Sequence, residues 1–153
     1  VNSVIHAALS MIGTQLRNHQ INLKMDLADD GVSVLGNPSR LEQVILNLLS
    51  NAMDALDEKE EKTGRAEKEI MIKTFQAQDR AVIKVKDNGT GISDDILERI
   101  FNPFFSTKSE KKGTGLGLAI VYGIVTEMKG EVSIASEVNQ FTEVSVHFPA
   151  ISG

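Results

Sequence analysis

The stretch Asn47-Leu48-Leu49-Ser50-Asn51-Ala52-Met53-Asp54-Ala55-Leu56 constrains this chain most, because it reads as one helix with two incompatible faces. Leu41, Val44, Ile45, Leu48, Ala52, Ala55 and Leu56 fall at helical spacing and form a core face. Gln43, Asn47, Asn51 and Asp54 follow at intervals of four, four and three, and share a different face. A solvated face favours Lys, Glu and Arg, which are better helix formers than Asn. Two Asn one turn apart therefore cost some helix stability. An amide oxygen is a hard, neutral ligand of the kind Mg²⁺ takes beside waters and phosphates. The other reading is that these amides cap or bridge buried backbone.

A second constraint lies in Ala81-Val82-Ile83-Lys84-Val85-Lys86-Asp87, followed by Asn88-Gly89-Thr90-Gly91. Ile83, Val85 and Asp87 share parity along a strand, so Asp87 faces the core while Lys84 and Lys86 face away. A carboxylate there needs donors. An adenine amino group is one, whereas guanine carries a carbonyl at the equivalent position. The backbone amides of its own turn are the alternative. Gly89 and Gly91 permit the close approach or positive φ that both readings require. Further on, Gly113-Thr114-Gly115-Leu116-Gly117-Leu118 opens into a helix, where free N–H groups and the dipole suit phosphate. It is not a Walker A loop, because no Gly-Lys-Ser/Thr follows, nor a dinucleotide fingerprint, because its glycines are spaced GxGxG and a polar loop precedes it. Lys108, Lys111 and Lys112 precede it, within reach of phosphate or simply solvated.

The remaining pattern gives the fold class. Residues 1–17 have helical spacing, Ile21 to Leu27 alternate as a half-buried strand, and Val32 to Leu35 read as a short strand. Asn37 is placed to cap the second helix with Pro38 at its first position, and that helix is expected to end near Leu56. The charged run 57–69 reads as a solvated loop or frayed helix end. Ile70–Gln76 and Ala81–Lys86 are strands, and Ser93 can cap a short helix through Ile100. Residues 102–113 read as a mobile loop, and Leu116–Met128 as a helix stopped by Gly130. A hairpin built on Val132, Ile134, Thr142, Val144, Val146 and Phe148 closes the chain. Hairpin-linked strands with helices gathered apart from them predict an α+β fold: a two-layer sandwich, its mixed sheet covered by helices on one face. The 153 residues fit one domain, with no internal repeat.

Composition excludes several classes. A net charge of −5 gives no basic field for nucleic acid. Apolar runs are far too short to span a membrane. Zero Cys removes thiolate catalysis, disulfides and cysteine-based metal sites, and fits a reducing compartment. The chain begins at Val1, not Met, and is read as a piece of a longer protein.

Taken together, Asn47 to Leu56, Asp87 to Ile92, Phe101-Asn102-Pro103-Phe104-Phe105 and Gly113 to Leu118 resemble the N, G1, F and G2 boxes of sensor histidine kinases, in the family's order. The resemblance covers about residues 1–149, and Asn102 to Lys108 is similar to the nitrogen-regulation and dicarboxylate-sensing type. It implies the Bergerat ATP-binding fold with ATP and Mg²⁺ as cofactors. By that likeness Asn51 is the Mg²⁺ ligand, while Asn47 and Lys108 support phosphate transfer. Asp87 binds the adenine amino group with a water shared with Thr142. Gly89, Gly91 and Ile92 shape the adenine slot, and Ala55 packs on the base. Residues 93–115 form the ATP lid, which brings Thr107, Lys108, Gly113, Thr114, Gly115, Leu116, Gly117 and Leu118 toward the phosphates. The implied partners are a helical dimerisation domain bearing the acceptor His, and a response regulator. The isolated domain is expected to be monomeric and cytoplasmic, in a homodimeric parent with or without a membrane anchor.

The chain departs from the family pattern at three places. Asp54 stands where many relatives carry a basic phosphate contact, and only Thr142 survives of the usual Gly-x-Gly-Thr turn. No His is followed by an acid: His6 precedes Ala7, His19 precedes Gln20 and His147 precedes Phe148, so the phosphoacceptor segment is absent. ATPases of the gyrase, Hsp90 or MutL type resemble the same fold but place a Glu at the Asn47 position. An amide has no useful basicity, which favours phosphotransfer over hydrolysis. A non-catalytic nucleotide-sensing module is the remaining alternative. Phe104 and Phe105 either pin their polar loop to the core or dock on the helical partner.

Overall fold

The computed structural model describes residues 2–28, 34, 36–64, 67–92 and 117–149. Helix α1 (Asn2–Asn18) buries Ile5, Ala8, Ile12 and Leu16 along one stripe. The chain then reverses through Gln20, at φ 59°, into strand β1 (Asn22–Asp26). Of the predicted 32–35 strand only Val34 is described, in an isolated bridge; its neighbours lie outside the described residues.

Helix α2 (Pro38–Thr63) starts as its sequence dictates, with Asn37 Oδ1 accepting from the Ser39 N–H at 2.8 Å. It does not stop near Leu56. Glu58, Lys59, Glu60 and Lys62 are good helix formers, Glu58 and Lys62 pair at 3.2 Å, and the helix runs on to a left-handed Gly64. The buried set also differs from the predicted face: Leu49 and Met53 join Leu41, Val44, Ile45, Leu48, Ala52 and Leu56, while Ala55 is only half-buried. The reason is that α2 packs against α1 on one flank, helix α3 (Gly117–Glu127) on the other and the sheet below. Each fully buried Leu or Ile contributes about 1.5–3 kcal/mol. That outweighs the few tenths of a kcal/mol that each helical Asn costs.

Strands β2 (Glu69–Ala77) and β3 (Arg80–Asp87) form a hairpin, as do β4 (Glu131–Glu137) and β5 (Phe141–Pro149). The sheet order is β1-β2-β3-β5-β4, with β1 parallel to β2 and every other pair antiparallel. Ile70, Ile72, Ile83, Val85, Val144, Val146 and Phe148 line the helix-facing side and join one core with the three described helices. On the other side Lys84 and Lys86 lie over the rings of Phe75 and Phe141, at 5.8 and 4.9 Å. The architecture is the expected α+β sandwich with a mixed sheet. Helix α3 ends at Glu127 and is followed by a left-handed Lys129, one residue before the Gly130 predicted to stop it, while Gly130 donates its N–H to Val125 O at 2.8 Å.

The charged run after Leu56 is not merely solvated. Lys68 is only 8% exposed, and its Nζ lies 3.0 Å from Asp57 and 3.1 Å from Glu60 while donating to His19 O at 3.1 Å. His19 Nδ1 in turn meets Asp57 at 2.8 Å. This cluster fastens the ends of α1 and α2 to the start of β2. Burial pushes the Asp57 carboxyl up, but hydrogen bonds and charge from Lys68 and His19 outweigh it and hold the group below its ordinary value. Burial likewise pushes the Lys68 ammonium down, and Asp57 and Glu60 outweigh it and leave the group raised.

A depressed carboxyl contributes stability above its unfolded pKa and loses it as pH falls through the folded value. Asp57→Asn is therefore expected to lower stability by about 1–3 kcal/mol at neutral pH. In urea unfolding the deficit should shrink as pH falls below 3.8. Lys68 stays charged throughout that acid range, so its own titration does not distort the window. A deficit independent of pH would show that Asp57 acts through packing alone.

Candidate nucleotide site

Asp87 is the last residue of β3 and is 6% exposed on the helix-facing side, as its parity requires. Its Oδ1 accepts the Gly89 N–H at 2.8 Å, so its own turn does supply one donor. Thr142, 7% exposed, is its register partner on β5. Ser136 on β4 is in turn the register partner of Thr142. The three polar side chains form one row across three adjacent strands.

The loop after Asp87 is held at each residue. Asn88 Nδ2 donates to Glu67 O at 2.7 Å, and its Oδ1 accepts from Glu69 N at 2.9 Å. Asn139 N donates to Thr90 O at 2.6 Å. Ile92 N donates to Ser136 Oγ at 2.7 Å. Lys59 Nζ donates to both Asn88 O and Asn139 O, at 3.0 and 3.1 Å, and so ties the loop to the β4–β5 turn. Gly91 sits at φ 73°, and a Cβ there would strike the Glu137 carbonyl oxygen. At Gly89 an added Cβ would lie 2.8 Å from both Ala55 Cβ and Asp87 Oδ1. Only a glycine lets this loop lie flat on α2 beside the acid.

Asn47, Asn51, Ala55 and Lys59 follow one another at intervals of four on α2, and all four are half-buried. Ala55 meets Gly89, so this line of residues leads directly to Asp87. Upstream on it, Asn47 Nδ2 and Asn51 Nδ2 are buried and have no hydrogen-bond partner among the described residues. Two orphaned amides a turn apart are costly unless something polar occupies the space before them. Rotating an amide by half a turn exchanges its oxygen and nitrogen. Each can therefore offer a donor to a phosphate oxygen or an oxygen to a cation, a donor set that fits Mg²⁺ with phosphate. Gln43, at the top of the predicted stripe, is exposed, and Asp54 is half-buried.

The structure thus brings together Asn47, Asn51, Ala55, Asp87, Gly89, Gly91, Ile92 and Thr142. Leu118, expected near phosphate, is half-buried against the core at the start of α3, which opens at Gly117. Thr107, Lys108, Gly113, Thr114, Gly115 and Leu116 lie outside the described residues, as do the predicted 93–100 helix, Phe104 and Phe105. Sequence reasoning missed Ser136, Asn88 and Lys59. Ser136 shares parity with Val132 and Ile134, and Lys59 continues the Asn47–Asn51–Ala55 spacing, so both carried a readable signal.

The family described as histidine kinase-, DNA gyrase B- and HSP90-like ATPase matches residues 36–152. The chain belongs to this family. Within it, the chain is the ATP-binding catalytic domain of the two-component sensor histidine kinase type. It is 38% identical over 137 residues to the two-component sensor PprA of Pseudomonas aeruginosa, covering 88% of this chain and 14% of that protein. It is 35% identical over 136 residues to the C4-dicarboxylate transport sensor protein DctB of Rhizobium meliloti, covering 89% of this chain and 21% of that one. It therefore spans only a small part of these relatives. The catalytic domain of the histidine kinase ThkA superposes with a TM-score of 0.82 at 25% identity, over 97% of this chain and 91% of that one. No helix among the described residues is long and apolar enough to cross a membrane.

Gly91→Ala is expected to lower stability by more than about 1 kcal/mol, because it adds left-handed strain to a backbone clash. Thermal or urea unfolding reads the loss; an unchanged midpoint would mean that the loop does not need its contact with the β4–β5 turn.

Proposed function

We propose that this domain binds Mg-ATP and donates the γ-phosphate to a histidine on a separate helical dimerisation domain, for relay to a response-regulator aspartate. The observation that carries this reading is the pair of orphaned amides, Asn47 and Asn51, on the same line of α2 that ends against Asp87. Asp87 would accept the adenine amino group, with Thr142 beside it sharing a water. Gly89 and Ala55 would flank the base, with Gly91 and Ile92 shaping the slot. Asn51 would hold Mg²⁺, which supplies charge neutralisation at the phosphates, and Asn47 would donate to a phosphate oxygen. Thr107, Lys108 and the backbone from Gly113 to Leu118 are assigned to the phosphate end by resemblance.

Phosphoryl transfer depends mainly on positioning and electrostatics. This chain needs to hold the nucleotide and exclude competing water, while nucleophile and base come from the partner. Asn47 supports that division of labour. A carboxylate there could take a proton from water, and an amide cannot. The parent protein is proposed to be a homodimer whose catalytic domains, monomeric when isolated, lie in the cytoplasm.

The test is calorimetric titration with ATP, with and without Mg²⁺, against GTP. Adenine-selective, Mg²⁺-sensitive binding is expected, and binding indifferent to the base would defeat the reading. Asp87→Asn should weaken ATP binding by roughly tenfold to a hundredfold, about 1–3 kcal/mol, with the fold intact by circular dichroism. Unchanged ATP affinity would remove Asp87 from the adenine site. Asn47→Glu should raise ATP hydrolysis by the isolated domain; no rise would argue against Asn47 facing the γ-phosphate.

A further inference from the structure

We propose that Ser136 sets the base specificity of the pocket by fixing the direction of the Thr142 hydroxyl proton. The inference rests on the reading that adenine lies against Asp87.

The geometry around Ser136 Oγ leaves one solution. It receives the Ile92 N–H at 2.7 Å. It lies 2.8 Å from Phe141 O, and a carbonyl can only accept, so the single proton of Ser136 goes there. The third contact, Thr142 Oγ1 at 2.9 Å, then needs a proton from Thr142. With one donation and two acceptances the Ser136 hydroxyl is saturated. Thr142 is left with its proton turned toward β4 and only lone pairs on its other side.

That other side faces Asp87, its register partner on β3. Directly opposed residues hold their Cβ atoms within about 4.5–5.5 Å. The pair therefore presents acceptors, carboxylate and hydroxyl alike, to whatever lies between or above them. A water placed there must donate both protons inward and offers a lone pair outward. An amino group at the purine 6-position satisfies such a site, and a 6-oxo group meets lone pairs only. The discrimination thus comes from a proton held on the far side of Thr142 by a residue that never touches the base.

Ser136→Ala removes the acceptor. The Thr142 hydroxyl is then free to rotate and donate to a 6-oxo group. The same substitution strands the Ile92 N–H, and that structural loss weakens every purine nucleotide equally. Only the change in proton direction alters the ratio between two bases, so the ratio is the readout.

The experiment is calorimetric titration of the domain with Mg-ATP, which carries a 6-amino group and a bare N1, and with Mg-ITP, which carries a 6-oxo group and a protonated N1. Wild type should prefer ATP. Ser136→Ala should narrow the preference by about tenfold, the effect of one misdirected buried hydrogen bond. Ser136→Thr keeps a hydroxyl in place and should retain the preference. Ser136→Cys, a weak acceptor of similar size, should narrow it too and serves if the alanine variant does not fold. Equal loss for both nucleotides in Ser136→Ala, or an unchanged ratio, overturns the role of Ser136 while leaving the adenine reading intact. A wild-type domain with no preference for ATP over ITP overturns the adenine reading, and this inference with it.

Discussion

A helix packed on both flanks and underneath can offer a ligand only what its packing leaves uncovered, and in this protein a half-buried strip on α2 holds Asn47, Asn51, Ala55 and Lys59. Each step of four residues overshoots the 3.6-residue turn by about 40°, so the strip winds slowly around the helix axis. Each residue suits what lies before it. The two amides keep unpaired polar atoms, Ala55 is small enough for the Gly89 backbone to rest on it, and Lys59 reaches two carbonyls. The strip is rigid because the rest of α2 is core. A cleft with one wall of this kind can hold a charged ligand in register without ordering its own side chains first, which lowers the entropic cost of binding.

The opposite wall is made by the sheet. Asp87 reaches it because strand parity puts every second residue of β3 toward the helices, and the turn that follows holds the carboxylate in place. The loop beyond is narrow because it is stapled from three directions: by Asn88 to β2, by Thr90 and Gly91 to the β4–β5 turn, and by Ile92 to Ser136. These contacts are mostly hydrogen bonds between a side chain and the backbone, individually worth about 1 kcal/mol. Together they define a shape that no single substitution in the family boxes would reveal.

How legible this was depended on periodicity. Asp87 and the Asn47–Asn51 pair could be read because a wrong residue type stood at a regular position. The hairpins could be read because alternation breaks at Gln78 and Asn139. Strand order could not, since alternation tells which face a residue takes and says nothing of the neighbouring strand. The segment after Leu56 misled because paired and solvated charges have the same composition; Lys68 is distinguished only by the tertiary approach of Asp57 and Glu60. Ser136 was passed over because a small hydroxyl on a half-buried strand is unremarkable until its three neighbours are known.

The pairing of β3 with β5 also bears on how the domain assembles. The β2–β3 hairpin is local, joined at Gln78 and Asp79, and its contacts close at little entropic cost. The bridge from Asp87 to Thr142 joins strands that are distant in the chain, and non-local contacts of this kind form slowly. Until the C-terminal hairpin docks, Asp87 is one more hydrated carboxylate at a strand end. Burial of the acid and completion of the sheet are therefore the same event. A ligand that touched Asp87 and Thr142 together would add its binding free energy to the contact the chain finds hardest to make.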